Sequence, residues 1–462
     1  MIRKTIVAAP TFIGALLLAP IPAAAQSTTQ AEIQARYDRA LAAGYEALTM
    51  CSAIATAEAG GAVRTPEQVL DWELTGIYPA LDPIVPELAY RLFRANQGTG
   101  VLSYVEVDWA DDMPPRLAWH EEAGGCTLGP IGMTAPPERK TLHYAGPDAM
   151  YMWHMRIPPG GLGEVTERAF RAAYGADART TAVVVAGPVG DGIYWQYRDG
   201  FSPLVPQRTW SVAKSIAATV IGAAVQRGEA DVTASAGLGV DASDPRRAIT
   251  IDQALRMASG RYTDTPGNRT DPLYVGGATV DEVALDWPLV SPPGTVWRYA
   301  NNDTLAAVQA IEPSFAAHPP AELFDLLGMT STVAETDWQG NYILSSQVWT
   351  TARDLARLGQ IYLNNGMLPD GTRLLPEGWA RYVSTPSGPQ PGGEFGYGAG
   401  WWLMNHTPGV PADTFFANGN RGQYVVVVPS RNVVIVRRGE DPAGGSGFDI
   451  AAFTRDVLAA LE

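Results

Sequence analysis

Hydrophobic positions along the chain recur with two periods, one typical of helices and one typical of strands. Alternation of apolar and polar residues, or a short apolar run between turn residues, predicts a strand. The segments with strand patterns are residues 101–107, 116–120, 181–186 and 193–197. The segments with helical spacing are residues 31–50, 164–174 and 448–461. Helices and strands both contribute, which indicates a mixed α and β fold.

Two apolar runs near the C-terminus predict an antiparallel hairpin. Residues 423–428 and 433–436 flank the turn sequence Pro429-Ser430-Arg431-Asn432. Further upstream, a stretch rich in glycine and proline at residues 158–163 is a natural domain boundary. It separates an N-terminal part without recognisable chemistry from the rest of the chain. The predicted domains are an N-terminal accessory domain, residues 26–160, and a second domain, residues 161–462.

A buried helix is predicted to begin at Ser211. Its apolar positions continue as far as Ala224, and Arg227-Gly228 supplies a glycine stop. Lys214 lies in the first turn, and it is one of only three lysines among 33 basic residues. Because residues three apart share one helical face, the Lys214 amine is within reach of the Ser211 hydroxyl.

A lysine beside Ser211 can do chemistry that an arginine cannot. A guanidinium stays protonated, whereas an amine that is buried, or that opposes the helix dipole, loses its proton more readily. A neutral Lys214 amine can take the proton of the Ser211 hydroxyl and so create a nucleophile. The alternative interpretation is a surface lysine that happens to follow a serine.

Tyr299 and Asn301 form a second candidate pair. A tyrosine hydroxyl near a lysine ammonium can have its pKa lowered, and it can then carry a proton between nucleophile and leaving group. The alternative role of Asn301 is to cap the helix that follows. Tyr362 and Asn364 have the same spacing, but Tyr362 belongs to a helical core stripe, so we favour Tyr299.

A third motif, Ala417-Asn418-Gly419-Asn420-Arg421-Gly422-Gln423, leads directly into the first strand of the hairpin. Glycines there allow a ligand to approach the backbone closely, which makes Gly419, Gly422 and Gln423 candidate substrate contacts. The backbone N–H groups of Ser211 and Asn420 are candidates for an oxyanion hole. The alternative interpretation is a simple turn.

The composition predicts a compartment and limits the partners. Residues 1–25 contain Arg3, Lys4, an apolar stretch and a final Ala-Ala-Ala, the plan of a signal peptide cleaved after Ala25. The apolar stretch is too short to span a bilayer comfortably, so we expect a periplasmic or secreted protein with no membrane span. The formal charge of −15 becomes −17 once Arg3 and Lys4 are removed. Such a charge argues against nucleic acid as a partner.

Cys51 and Cys126 are the only cysteines of the chain. In an oxidising compartment they form a disulfide or stay as two small buried thiols, and the sequence leaves both outcomes open. The five histidines are scattered without ligand spacing, so we expect neither a metal nor a cofactor. The expected partner is a small-molecule substrate, and the sequence leaves the oligomeric state open.

In combination, these motifs are specific. Ser-x-x-Lys at Ser211, Tyr-x-Asn at Tyr299 and a glycine motif opening a core strand resemble the penicillin-recognising serine hydrolases. That superfamily includes class C β-lactamases, D-Ala-D-Ala peptidases, family VIII carboxylesterases and 6-aminohexanoate-dimer hydrolase. The resemblance covers residues 168–462. It implies an α+β, β-lactamase/transpeptidase-like fold, in which an antiparallel sheet is flanked by helices and joined by a helical subdomain, with an extra N-terminal domain.

The resemblance also implies a role for each motif residue. Ser211 is expected to be the acylated nucleophile, Lys214 its general base and Tyr299 the proton shuttle to the leaving group. Asn301 is expected to orient the lysine or to bind the substrate carbonyl. Tyr262 and Trp402 are expected to line the pocket.

One motif departs from the family pattern. Ala417-Asn418-Gly419 stands where β-lactamases and D-Ala-D-Ala peptidases carry Lys-Thr-Gly, or His in place of Lys, so the cation that binds the substrate carboxylate is missing. Arg421 is the nearby residue that could replace it. We therefore predict an exported serine hydrolase of small esters or amides, ahead of a β-lactamase or D-Ala-D-Ala peptidase. An alternative of another class is a catalytically silent protein that binds peptidoglycan fragments or β-lactams as a sensor.

Overall fold

The structure is a computed structural model that describes residues 28–95, 100–121, 124–137, 161–188, 193–262, 270–445 and 447–462. The chain divides into two units, Met1–Tyr37 and Asp38–Glu462. The predicted signal peptide and residues 158–160 of the predicted boundary lie outside the described residues. The division into domains at residue 160 therefore stays a prediction.

The predicted strands and helices are present, and most ends differ from the prediction by a few residues. The first helix continues nine residues beyond its predicted end at residue 50, to Ala59. The strands are β1 Ala89–Arg94, β2 Leu102–Asp108, β3 Arg116–Glu121, β4 Gly125–Leu128, β5 Thr180–Ala186, β6 Ile193–Tyr197, β7 Gln207–Arg208, β8 Val333–Ala334, β9 Val348–Thr350, β10 Gly396–Tyr397, β11 Trp402–Leu403, β12 Phe415–Gly419, β13 Gln423–Val428 and β14 Val433–Gly439. The α-helices are α1 Gln30–Ala59, α2 Pro66–Trp72, α3 Leu162–Phe170, α4 Val212–Arg227, α5 Ile251–Leu255, α6 Asn301–Gln309, α7 Pro320–Leu326, α8 Ala352–Leu363, α9 Trp379–Ser384 and α10 Ile450–Ala460.

The central sheet is antiparallel and has the strand order β10-β11-β12-β13-β14-β5-β6. Successive side chains of a strand point to opposite faces, so each apolar strand supplies two cores. On one face, Val425 and Val427 pack with the apolar residues of α4 and α8. On the other face, Val426 and Val428 pack with α3 and α10. Helices on both faces explain why β13 and β14 read as nearly continuous apolar runs.

The N-terminal part adds a second sheet, with the strand order β1-β2-β3-β4. Its core joins α1 and strands β2 to β4 with residues from later in the chain, including Trp210, Tyr274 and Trp349. By length and composition α1 could cross a membrane, but 94% of its most apolar stretch is buried within the protein. Burial of that kind is typical of a core helix in a globular protein.

Cys51 and Cys126 form a disulfide, the outcome that the sequence left open. Their Cα atoms are 6.0 Å apart, and the bond joins α1 to β4 across 75 residues of sequence. Beside it the buried carboxylate of Glu335 accepts hydrogen bonds from the Ser52 hydroxyl (2.6 Å) and the Cys126 N–H (2.9 Å). The disulfide thus links two elements within the N-terminal part, and the hydrogen bonds to Glu335 connect that part to the rest of the chain.

Candidate active site

Ser211 stands at the N-cap position of α4, where the central sheet and the helix meet. Its hydroxyl does not cap the helix, so it remains available for chemistry. The preceding residue, Trp210, has a φ of +51°, a left-handed conformation that is rare for a bulky side chain. Glycine is required at Gly419, because a side chain there would collide with the Thr209 carbonyl. Strand β12 therefore runs directly against the start of α4 and brings Asn420 to the same pocket.

Lys214 lies one turn into α4, with its side chain only 1% exposed. Its Nζ atom donates to Ser211 Oγ at 2.9 Å, to Asn301 Oδ1 at 2.6 Å and to the Ser345 carbonyl at 3.0 Å. All three acceptors are uncharged oxygens. Burial disfavours the ammonium form, and it lowers the pKa of Lys214 to about 7. The amine that faces Ser211 can therefore act as a base near neutral pH.

Tyr299 lies beside this pair, but its ionisation differs from the sequence prediction. The Lys214 Nζ atom is 5.0 Å from the centroid of the Tyr299 ring, within cation–π range. Burial raises the pKa of Tyr299, although a hydrogen bond with Ser211 opposes that shift. The expected lowering of the Tyr299 pKa is therefore wrong, because desolvation outweighs the neighbouring groups. Tyr299 is therefore protonated at neutral pH, and its hydroxyl can donate a proton.

Asn301 is hydrogen-bonded directly to the lysine. Its Oδ1 atom accepts from Lys214, and its Nδ2 atom donates to Thr270 Oγ1 at 2.8 Å. Asn301 is the first residue of α6, whose N-cap is Ala300 with no side-chain cap. The alternative prediction, that Asn301 caps the helix, is not what the structure shows.

A cavity of about 540 Å³ opens over Ser211. The predicted site residues along its lining are Ser211, Tyr299, Asn301, Trp402, Gly419, Asn420 and Gly422. Trp402 packs against Tyr299, with ring centroids 5.5 Å apart. Ser211 and Asn420, the residues predicted to form an oxyanion hole through their backbone N–H groups, both line the cavity.

Two predicted pocket residues lie elsewhere. Tyr262 is 45% exposed and packs edge-on against Trp287, and it is not part of the cavity lining. Gln423 is wholly buried, and its side-chain amide donates to the Gly439 carbonyl. Gln423 shares a strand face with Val425 and Val427, so its side chain points into the core rather than toward a substrate.

Comparison with known proteins identifies the family of the chain. Residues 172–438, more than half of the chain, match the profile of the family described as Beta-lactamase. The chain belongs to the Beta-lactamase family. Proteins of this family are serine hydrolases. The N-terminal region lies outside the matched residues, and it is extra to the family domain.

Two solved structures have a fold similar to that of this chain. One is named "Putative 6-aminohexanoate-dimer hydrolase from Bacillus anthracis"; it is 21% identical, has a TM-score of 0.54, and the match covers 68% of this chain and 88% of that one. Another is named a "putative beta-lactamase from Bacteroides dorei DSM 17855", with 19% identity, a TM-score of 0.52, and coverage of 65% and 98%. No curated protein gives a significant match.

In this Beta-lactamase family member, the Arg421 guanidinium is bound by groups of the protein itself. Its guanidinium donates to Glu440 Oε2 at 2.6 Å and to the carbonyls of Thr75 and Trp72, each at 2.6 Å. The side chain is buried, with 3% of the residue exposed. Since its charge is paired and its donors are engaged, Arg421 does not replace the cation that Ala417-Asn418-Gly419 lacks.

Several polar lining residues carry no sequence motif and were not predicted, among them Asp271 and Tyr274. The Tyr274 hydroxyl lies 2.9 Å from Ser345 Oγ, on the residue whose carbonyl accepts from Lys214. Burial raises the pKa of Asp271 to about 6, against the opposing field of Arg208. Within the described ranges, no hydrogen bond or ion pair reaches the Asp271 carboxylate. No motif marks either residue, because their roles depend on distant parts of the chain.

Proposed function

We propose that this protein hydrolyses small, uncharged or cationic esters or amides through an acyl-enzyme on Ser211. The observation that carries the proposal is the Lys214 amine, which is 2.9 Å from Ser211 Oγ and has a pKa lowered to about 7. A base of that pKa is well matched to proton abstraction near neutral pH.

The proposed reaction proceeds in balanced steps. Lys214 takes the Ser211 proton as Oγ forms a bond to the substrate carbonyl carbon, and the oxyanion binds the N–H groups of Ser211 and Asn420. The bond to the leaving group breaks as Tyr299 donates its proton, and the Lys214 ammonium returns a proton to Tyr299. Water then attacks the acyl-enzyme by the reverse proton route and releases the acid.

Charge in the pocket supports the choice of substrate. Arg421 is the one cationic residue among the described residues that line the cavity, and its side chain is bound to Glu440. Asp441 also lines the cavity, but Arg437 pairs with it at 2.7 Å. Asp271 is left as the unpaired charge among these residues. An anionic substrate would thus be repelled by the Asp271 carboxylate and find no unpaired cation among the described lining residues, whereas a neutral or cationic substrate would not be repelled.

Substrate preference tests the proposal. We expect kcat/KM for p-nitrophenyl acetate or butyrate to exceed that for nitrocefin by at least about 10²-fold, the factor for roughly 2.7 kcal/mol of missing transition-state stabilisation. Asp271→Asn, which keeps the shape but removes the charge, should narrow that ratio. Efficient nitrocefin turnover by the parent enzyme would restore the β-lactamase alternative.

Covalent labelling separates an enzyme from a silent binding protein. After brief incubation with an activated ester, intact-mass analysis should show an acyl adduct that is absent in Ser211→Ala. A fluorophosphonate should label the same serine. A fully active Ser211→Ala variant would exclude Ser211 as the nucleophile.

Export belongs to the same proposal. It rests on the signal-peptide plan of residues 1–25 and on a disulfide, which is typical of oxidising compartments. Mass analysis of the protein purified from its native compartment should give a chain that begins at Gln26. A cytoplasmic, uncleaved chain would contradict export.

A further inference from the structure

Part of the pocket is built by a segment outside the family domain. Ile77, Tyr78 and Pro79 line the cavity over Ser211, although the family profile matches only residues 172–438. We call residues 77–79 the wall segment. The N-terminal region is therefore part of the active site, and the question is what this segment does there.

Arg421 and Glu440 fasten the chain that leads into the wall segment. The guanidinium binds the carbonyls of Trp72 and Thr75, and Glu440 holds it from the other side. Gln207 in turn donates to Glu440 Oε1 at 2.7 Å. A planar guanidinium has donors for a carboxylate and two carbonyls at once, a task that a lysine ammonium cannot reproduce with the same geometry.

Further contacts fix the wall segment itself. The N–H groups of Ile77 and Tyr78 donate to the Asp82 carboxylate at 3.1 and 3.2 Å. The preceding Gly76, at a φ of +75°, accepts a hydrogen bond from the Ala443 N–H at 2.7 Å. The ring of Tyr45 in α1 packs edge-on against Tyr78, with centroids 5.2 Å apart. The segment is thus held in one position rather than lying loosely over the cavity.

A chain of contacts links Tyr78 to the nucleophile. The Arg208 guanidinium interacts electrostatically with the Tyr78 hydroxyl. The Arg208 guanidinium stacks on the Trp210 ring, 3.7 Å from its centroid, and donates to Ser346 Oγ at 3.0 Å. Trp210 directly precedes Ser211, and Ser346 follows the residue whose carbonyl accepts from Lys214. This series of contacts therefore connects the wall segment to both the nucleophile and its base.

We propose that the wall segment sets the size of substrate that Ser211 accepts, that Tyr78 is its specificity-determining residue, and that Arg421 is the positioning residue that holds it. The proposal rests on the hydrolase function proposed above. It gives Arg421 a purpose that differs from binding a substrate carboxylate. A pocket wall that admits or excludes one methylene changes kcat/KM by roughly 10- to 200-fold.

The first experiment removes the ring. Two ester series are used as probes, one with p-nitrophenol as leaving group and acyl chains from acetyl to octanoyl, the other with a fixed acetyl group and alcohols of increasing length. In at least one series, Tyr78→Ala should raise the ratio of kcat/KM for the longest to the shortest ester by about tenfold or more. Tyr78→Phe keeps the ring and should keep the parent's ratio. If Tyr78→Ala does not fold, Tyr78→Leu, which also lacks the ring, takes its place.

The second experiment weakens the hydrogen bonds of Arg421 and leaves Tyr78 itself unchanged. Arg421→Lys keeps the charge but loses the planar set of guanidinium donors. It should shift the ratio of kcat/KM for the longest to the shortest ester (the length ratio) in the same direction as Tyr78→Ala. Arg116→Lys is the matched control. Arg116 is equally buried and binds the carbonyls of Ala40, Gly129 and Gly276, none of which belongs to the wall. It should lower thermal stability and leave the length ratio unchanged.

Fluorophosphonate labelling of Ser211 tells the two proposals apart. A parent enzyme that does not label would overturn the hydrolase function, whatever the ratios are. A parent enzyme that labels, together with ratios unchanged in both series for the Tyr78 and Arg421 variants, would overturn the specificity wall alone. A shift of equal size in the length ratio of Arg116→Lys would also overturn the specificity wall, because the effect would then come from a general loss of stability.

Discussion

Two buried cations of this molecule, Lys214 and Arg421, are put to opposite uses. Lys214 is surrounded by the uncharged oxygens of Ser211, Asn301 and Ser345. Arg421 has the Glu440 carboxylate at 2.6 Å in addition to two backbone carbonyls. Both side chains are almost completely buried.

The two sites differ in the type of cationic side chain and in whether a carboxylate lies beside it. Without a carboxylate, burial destabilises the lysine ammonium and yields a base with a pKa of about 7. A guanidinium stays protonated in either setting, and Arg421, paired with the Glu440 carboxylate, connects distant segments of the chain. Similar burial thus gives reactivity at one position and architecture at the other.

The largest effect on activity is expected when Lys214 is replaced by arginine, the residue type of Arg421. Lys214→Arg keeps a cation but cannot supply a neutral base, so we expect kcat to fall by about 10³-fold or more, as for loss of a catalytic-unit member. Ester hydrolysis at saturating substrate measures the effect. A variant with near-normal kcat would show that Lys214 is structural.

The converse change removes the charge of Arg421. Arg421→Met leaves the Glu440 carboxylate buried and unpaired, which should lower the free energy of unfolding by about 3 kcal/mol or more. Chemical denaturation monitored by tryptophan fluorescence measures it. The double variant Arg421→Met/Glu440→Gln should recover part of the loss, because the unpaired charge is gone. A single variant as stable as the parent would show that the pair contributes nothing.

Lys214→Met is the matched control for that measurement. It leaves uncharged acceptors without a donor, but it strands no charge, so its cost should be smaller than that of Arg421→Met. A larger loss for Lys214→Met would reverse the assignment of the two cations.

Local sequence patterns predicted the contact between Lys214 and Ser211. Ser211 and Lys214 are three residues apart on one helix, so their meeting follows from helical geometry. The strands of the central sheet were likewise readable, because helices on both faces require continuous apolar runs. The alternation of Gln423 with Val425 and Val427 also indicates that its side chain points into the core. The glycine motif of residues 417–423 instead led to its prediction as a substrate contact.

The hydrogen-bond partners of Arg421 could not be predicted in the same way. Its carbonyl partners, Thr75 and Trp72, are 346 and 349 residues away in sequence. The place of Tyr78 in the pocket depends on that contact, and the raised pKa of Tyr299 depends on burial by aromatic residues from several strands. Such properties come from tertiary packing, which single-sequence patterns do not encode.

The pH profile of the reaction gives a smaller effect but a sharper test of Lys214. The base must be neutral to accept the Ser211 proton, and below a pKa of about 7 it becomes protonated. We therefore expect kcat/KM for a neutral ester to fall by about tenfold for each pH unit below 7 and to level off above it. Asp271, with a pKa of about 6, titrates in the same pocket. Asp271→Asn removes that group and should leave the inflection near pH 7 in place. A flat profile from about pH 5 to about pH 9, or an inflection that disappears in Asp271→Asn, would assign the base to another group.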